Sequence, residues 1–277
     1  MARTLRSGVK EELGCEELGM ISDWFYGLPM PVLCLAFIVL IAGAADVGNW
    51  VGLRFGGGKD ENADVGTLAA ACLGLLALLI AFSFSMAEAR YETRRTWVLE
   101  EATAIGSTAN FALMLPEPAQ HAILSLLRDY TAVRIGFDAS FDPMQLEKDL
   151  NRSLDLQARL WQQAVAVTAA APQSLPAYRF VASLNEMNNV HERRITALRN
   201  RMPSAVVFML LGTAMVAMGF TGYNSGVAGI KRRLAILIMS GMIGLLILLV
   251  VDLDRPNSGL IQVPVQALVD AAQGIPR

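Results

Sequence analysis

The sequence predicts an all-α membrane protein with four transmembrane helices and a cytoplasmic helical domain inserted between the second and the third. Three observations carry this expectation. Four apolar stretches each reach the ~20 residues that a helix rising 1.5 Å per residue needs to cross a bilayer. A charged block at residues 88–202 stands between the second and third stretches. No segment alternates apolar and polar residues with period two, so no strand is expected.

Composition agrees with this partition. Hydrophobic residues make up 54% of the 277 and only 17% are charged, with a mean hydropathy of +0.43. That is more apolar surface than one soluble core buries, so the charges must be segregated from it. The formal net charge of -2 gives no electrostatic footprint for nucleic acid, and basic residues stand beside acidic ones rather than in a pure patch. Cys15, Cys34 and Cys72 have no metal-ligand spacing and read as small apolar residues.

Residues 1–27 are expected to form an amphipathic segment ending in SDWFYGLPMP, where Trp24, Phe25 and Tyr26 suit the aromatic belt of a membrane interface. Glu11, Glu12, Glu16, Glu17 and Asp23 suit a secretion signal badly, so the first span is expected to be retained. Residues 28–87 hold the first two spans, at about Leu28–Val51 and Gly66–Ala87, joined by the polar linker GGGKDENADVG as a hairpin. The first span carries one charge, Asp46.

After Ala87 no proline interrupts the helical pattern until Pro116, so the second span should continue as one rod into the domain at 88–202. Three more helices are expected there. The first has apolar residues at Ile123, Leu126, Leu127, Tyr130, Val133 and Ile135; the second begins at Asp142-Pro143, a cap followed by proline in the first turn; the third leads from Leu175 toward Met202. Residues 203–251 hold the third and fourth spans, at Pro203–Tyr223 and Leu234–Val251, and residues 252–277 form a C-terminal tail.

Orientation follows the basic residues near the span ends. Arg3, Arg6, Lys10, Arg90, Arg94, Arg95, Arg193, Arg194, Arg199, Arg201 and Arg255 share one side, against Arg54, Lys59, Lys231, Arg232 and Arg233 on the other. The richer side is cytoplasmic by the positive-inside rule, so both termini and the inserted domain are expected in the cytoplasm.

Catalysis has no visible residue set. His121 and His191 each stand alone on a charged or amphipathic helix, and no GxGxxG, P-loop, HExxH or GxSxG string occurs. Neither an enzyme nor a bound cofactor is expected. The second span is more informative: Leu75, Leu78, Phe82, Ser85 and Ala89 fall on one helical face. An apolar row passing through Phe82 to a small polar Ser85, with Glu88, Arg90 and Arg94 beyond, suits a dewetting constriction that opens into a charged vestibule. The same row also suits a packed or lipid-facing helix.

Asp252 and Asp254 end the fourth span, with Arg255 as an available ion-pair partner. Carboxylates at a membrane boundary are costly unless paired. A structural ion pair is the default there, and a cation site the sharper alternative. Glu100 and Glu101 point about 100° apart on a helix and cannot act as a paired acid and base. One of them is expected to meet Arg94, Arg95, Arg193 or Arg194.

Three ordered strings, FSFSMAEARYETRRTWVLEEATAIGSTA, PEPAQHAILSLLRDYTAVR and DLDRPNSGLIQVP, resemble the bestrophin-like family of bacterial membrane proteins over nearly the whole chain from Leu28. The more distant resemblance to bestrophins implies a pentameric channel for small inorganic ions in the bacterial inner membrane, in contact with membrane lipid. It places Leu78 and Phe82 on the hydrophobic neck, with Leu78 where bestrophins carry a second aromatic. The acidic cluster that bestrophins carry after the last span is reduced here to Asp252 and Asp254. A homo-oligomeric anion channel is the leading expectation. A non-conducting scaffold whose cytoplasmic helices bind a partner is the alternative.

Overall fold

The computed structural model describes residues 28–56, 59–139, 143–229, 233–255 and 259–276. The expected amphipathic segment 1–27, the Asp142 cap and the Lys231-Arg232 pair lie outside the described residues. Among the described residues the chain is helix and loop with no strand. The helices are α1 (Met30–Phe55), α2 (Lys59–Ala112), α3 (Ala119–Ala139), α4 (Pro143–Ala170), α5 (Leu175–Arg199), α6 (Ser204–Val227), α7 (Arg233–Asp254) and α8 (Gln266–Gly274). Four of them contain stretches long and apolar enough to cross a membrane, in α1, α2, α6 and α7.

Two compact units result. The first comprises Met1–Glu88 with Met202–Arg255, and the second Ala89–Arg201 with Pro256–Arg277. Helix α2 is unbroken from Lys59 to Ala112, because no proline removes an amide donor along it. It begins inside the stretch expected as a flexible linker. The C-terminal stretch, expected as a tail, instead carries α8, whose Leu268 is fully buried in the core of the second unit.

In the first unit α1 packs on α6 and α7. Leu33, Phe37, Ile41 and Ala45 repeat every four residues and form the buried face of α1. On the α6 side the two backbones touch. A Cβ built on Gly222 would collide with the Ala45 carbonyl oxygen, and one on Gly48 with that of Gly219. Lipid supplies no hydrophobic drive between spans, so this close approach, through dispersion and Cα–H···O contacts, is what associates them.

Gly222→Ala should therefore wedge the helices apart at a cost of about 1–3 kcal/mol, the range for overpacking. Gly43→Ala, with nothing within 4 Å of its Cβ position, should leave stability unchanged or raise it by up to ~1 kcal/mol through helix propensity. Thermal unfolding of both variants in the same detergent checks the contrast, and equal midpoints would refute the backbone contact.

In the second unit the core is a cluster from α2, α3, α4, α5 and α8. It includes Ile105, Leu127, Leu160, Phe180, Leu184 and Leu268. Ser174 caps α5 by accepting a hydrogen bond from the Ala177 amide at 3.3 Å, and Pro176 stands in the first turn.

Candidate functional site

The face of α2 in the first unit is decided by what the rest of the chain covers. Ala69, Leu76, Ser83 and Ala87 are buried, at spacings of seven, seven and four that keep them on one stripe. At about 100° per residue, Leu75, Leu78, Phe82 and Ser85 lie roughly 100–180° round the helix from that stripe. Leu75, Leu78, Phe82 and Ser85 are exposed, with Leu78 at 51% and Phe82 at 61%. Among the described residues nothing covers this row. Glu88 is exposed as well, whereas Arg90 is only partly exposed and Arg94 is 2% exposed on the stripe continuing from Ala87. Arg94 thus stands off the Leu78–Phe82 row.

The residues after the fourth span come together as a polar clasp. Asp252, Asp254 and Arg255 are all buried. Asp254 Oδ2 accepts the Met202 amide at 2.8 Å, and Arg255 Nη1 donates to the Leu28 carbonyl at 2.9 Å. The clasp joins the end of α7 to the chain entering α6 and to the chain entering α1. It pairs a backbone amide and a backbone carbonyl that lie outside the helices, in the chain just before each of them. Among the described residues no three or more His, Cys, Asp or Glu side chains converge as a metal site.

The described residues also hold a buried polar network, of which the sequence expectations cover only a part, the pairing of Glu101 with Arg194. Inside the second unit, the fully buried Glu101 receives Arg134 Nε on Oε1 at 2.8 Å and pairs through Oε2 with Arg194 Nη1. Tyr130 donates its phenolic proton to Glu101 Oε1 at 3.0 Å and accepts from Gln157 Nε2 at 3.3 Å. His191 Nδ1 lies 3.0 Å from the same phenolic oxygen. With the phenol proton committed to Glu101, Nδ1 must carry a proton to complete that bond, which assigns the tautomer. Four helices, α2, α3, α4 and α5, each contribute to this network.

Its electrostatics are dominated by opposing effects. Burial works against ionising Glu101, but Arg134 and Arg194 outweigh it and, with the hydrogen-bond donors, hold the carboxyl well below its usual range. Burial and the adjacent Glu101 carboxylate push the Tyr130 phenol up, so it remains a neutral donor. One carboxylate shared by two guanidiniums is a structural knot of the bundle. His121 is exposed at the start of α3.

Comparison with known proteins gives a consistent picture. A family model, the bestrophin-like domain, matches residues 39–268. The fold is similar to a bacterial bestrophin homolog from Klebsiella pneumoniae, with a TM-score of 0.63 at 15% identity, covering 88% of this chain and 96% of that one. A point variant of that homolog matches with a TM-score of 0.61 at 14% identity, covering 88% of this chain and 97% of that one. No curated protein matches the sequence.

Proposed function

The chain belongs to the bestrophin-like family, and from that premise we propose that it is an oligomeric ion channel of the bacterial inner membrane. The observation that carries the reading is the row of Leu75, Leu78, Phe82 and Ser85 on α2 that the other described residues leave exposed. In a closed ring of subunits, most simply a pentamer, five copies of this row surround a central pathway. Leu78 and Phe82, one turn apart, then form stacked apolar rings that shed water from an entering ion, and Ser85 and Glu88 continue the lining. Anions are the proposed cargo, following the resemblance to bestrophins.

Asp46 supports the ring independently. It is exposed within the apolar α1 and has no hydrogen bond or ion pair among the described residues. A lone carboxylate facing hydrocarbon is costly, and a neighbouring copy or an aqueous path relieves that cost. Native mass spectrometry from lipid nanodiscs is expected to show a single closed oligomer. A monomer there would remove the pathway.

The domain between the second and third spans is proposed to be cytoplasmic, in keeping with the basic residues around it. A cysteine placed at the exposed Asn151 should resist an impermeant thiol reagent in sealed cells and react after permeabilisation. Rapid labelling of intact cells would reverse the topology.

The scaffold reading draws on one feature of the second unit. Trp161, Val165, Thr168 and Pro172 of α4 and its following turn line an open apolar groove with Val181 of α5. Such a patch on a unit outside the bilayer suits protein contact, and it distinguishes the two readings: a scaffold needs this groove and tolerates changes at Phe82.

A further inference from the structure

A second apolar groove lies in the membrane-spanning unit, and its position specifies what fills it. It is an open space of about 380 Å³ between α1, α2 and α6, lined by Val51, Val65, Val216, Phe220 and Tyr223 over a floor of glycines that includes Gly48 and Gly219. The floor follows from the α1–α6 packing: the glycines that bring two backbones together leave no side chains to fill the space beside them. The lining carries no charge, and its one hydroxyl belongs to Tyr223.

Polar chemistry begins at one end. Gly48, Val51 and Arg54 stand at successive steps of three along α1, so the Arg54 guanidinium lies one turn beyond the groove wall. Arg54 is exposed and has no hydrogen bond or ion pair among the described residues. Trp50 and Phe55, both exposed and edge to face at 6.4 Å between ring centroids, bracket it in sequence. Exposed aromatics with a basic residue at the end of a span mark the headgroup level of the bilayer.

We propose that this groove binds one acyl chain of an anionic phospholipid, whose phosphate pairs with Arg54. A small polar solute finds only the Tyr223 hydroxyl along otherwise apolar walls, and a soluble anion gains nothing from them. A lipid satisfies both ends at once: its chain lies along the open apolar groove beside the glycine floor, and its headgroup meets a guanidinium that is unpaired among the described residues. The headgroup must be anionic because a zwitterionic one brings its own cation to the same place. The inference does not rest on ion conduction, and a chain that conducts nothing could still hold the lipid.

The test uses the full chain in mild detergent, with phosphatidylglycerol, phosphatidylcholine of the same acyl chains, or inorganic phosphate added, read by native mass spectrometry at rising collision energy. The wild type should retain phosphatidylglycerol several-fold more than phosphatidylcholine and should retain no phosphate. Val216→Trp, which fills the groove from an exposed position, should reduce phosphatidylglycerol retention several-fold with the oligomer unchanged. Arg54→Gln, a surface change that spares the fold, should bring the two lipids to equal retention. Equal retention of both lipids by the wild type, full retention by Val216→Trp, or retention of phosphate alone would each overturn the proposal. Loss of the oligomer in Val216→Trp would also overturn it, by showing that a neighbouring copy covers the groove.

Discussion

Glu101→Gln should destabilise the second unit by roughly 3–5 kcal/mol, the cost of leaving buried charges without their counter-ion. The substitution keeps the shape of the side chain and removes the charge that Arg134 and Arg194 share. Two buried guanidiniums then face each other across a neutral amide, whose NH₂ group also meets donors where an acceptor is required. Glu100→Gln, one residue away but exposed, should change stability by less than ~0.5 kcal/mol. Thermal unfolding followed by circular dichroism separates the two variants.

The pH dependence has a definite sign. The Glu101 carboxyl is held below its usual range in the folded chain, so its contribution is complete above the unfolded carboxylate value of about 4.3. Below that pH the unfolded chain binds a proton that the folded chain refuses, and stability falls. The gap between wild type and Glu101→Gln should therefore be constant near neutrality and shrink on acidification below about pH 4. A gap that is the same at pH 3 and pH 7, or variants at positions 100 and 101 that behave alike, would remove Glu101 from the centre of the network.

The same residue marks what could be read from sequence. That one of Glu100 and Glu101 would meet an arginine follows from the cost of burying a carboxylate, and Arg194 was among the expected partners. Which of the two turns inward depends on helical phase relative to Val98, Ala102 and Ile105, the buried stripe of α2. Arg134 is not among those expected partners, because the apolar spacing of its segment carries no sign of a buried charge. Tyr130 falls among the apolar positions of that segment, but its hydroxyl is the hub to which Glu101, Gln157 and His191 bond.

A signal did exist. On α5 the stripe Phe180, Leu184, Met187 runs at steps of four and three onto His191 and Arg194, and on α3 Ile123, Leu127 and Tyr130 run onto Arg134. A polar residue in phase with an apolar stripe is buried unless the helix ends first, and it must then find partners on the facing helices. His191 read as a solitary histidine because its partners are distant in sequence.

The spans were legible because bilayer thickness sets their length and composition together. The α8 helix was not: it is a short, half-apolar segment that acquires its fold from the surface it covers, a tertiary effect outside local propensity. The α1–α6 contact was likewise hidden, since glycines along a span mark a close approach without naming the partner.

Phe82→Ala tests the pore reading most directly and should raise ion efflux from reconstituted liposomes about tenfold, equivalent to lowering the barrier by ~1.4 kcal/mol. The argument is one of dewetting. A ring of phenylalanines with a ring of Leu78 one turn before it offers an ion no hydrogen bonds in place of its lost hydration, and shortening the side chain both widens the ring and admits water. Phe82→Leu keeps the lining apolar and should stay near wild-type flux. Phe84 provides the matched control: it lies about 200° round the helix from Phe82 and is less exposed, at 36% against 61%, so Phe84→Ala should disturb packing and leave selectivity and flux alone. If the Phe84 variant opens the pathway and the Phe82 variant does not, the pore lies on another face of α2. If neither variant nor the wild type passes chloride or sodium above empty liposomes, conduction itself fails, and the apolar groove at Trp161 and Val165 becomes the feature that explains the protein.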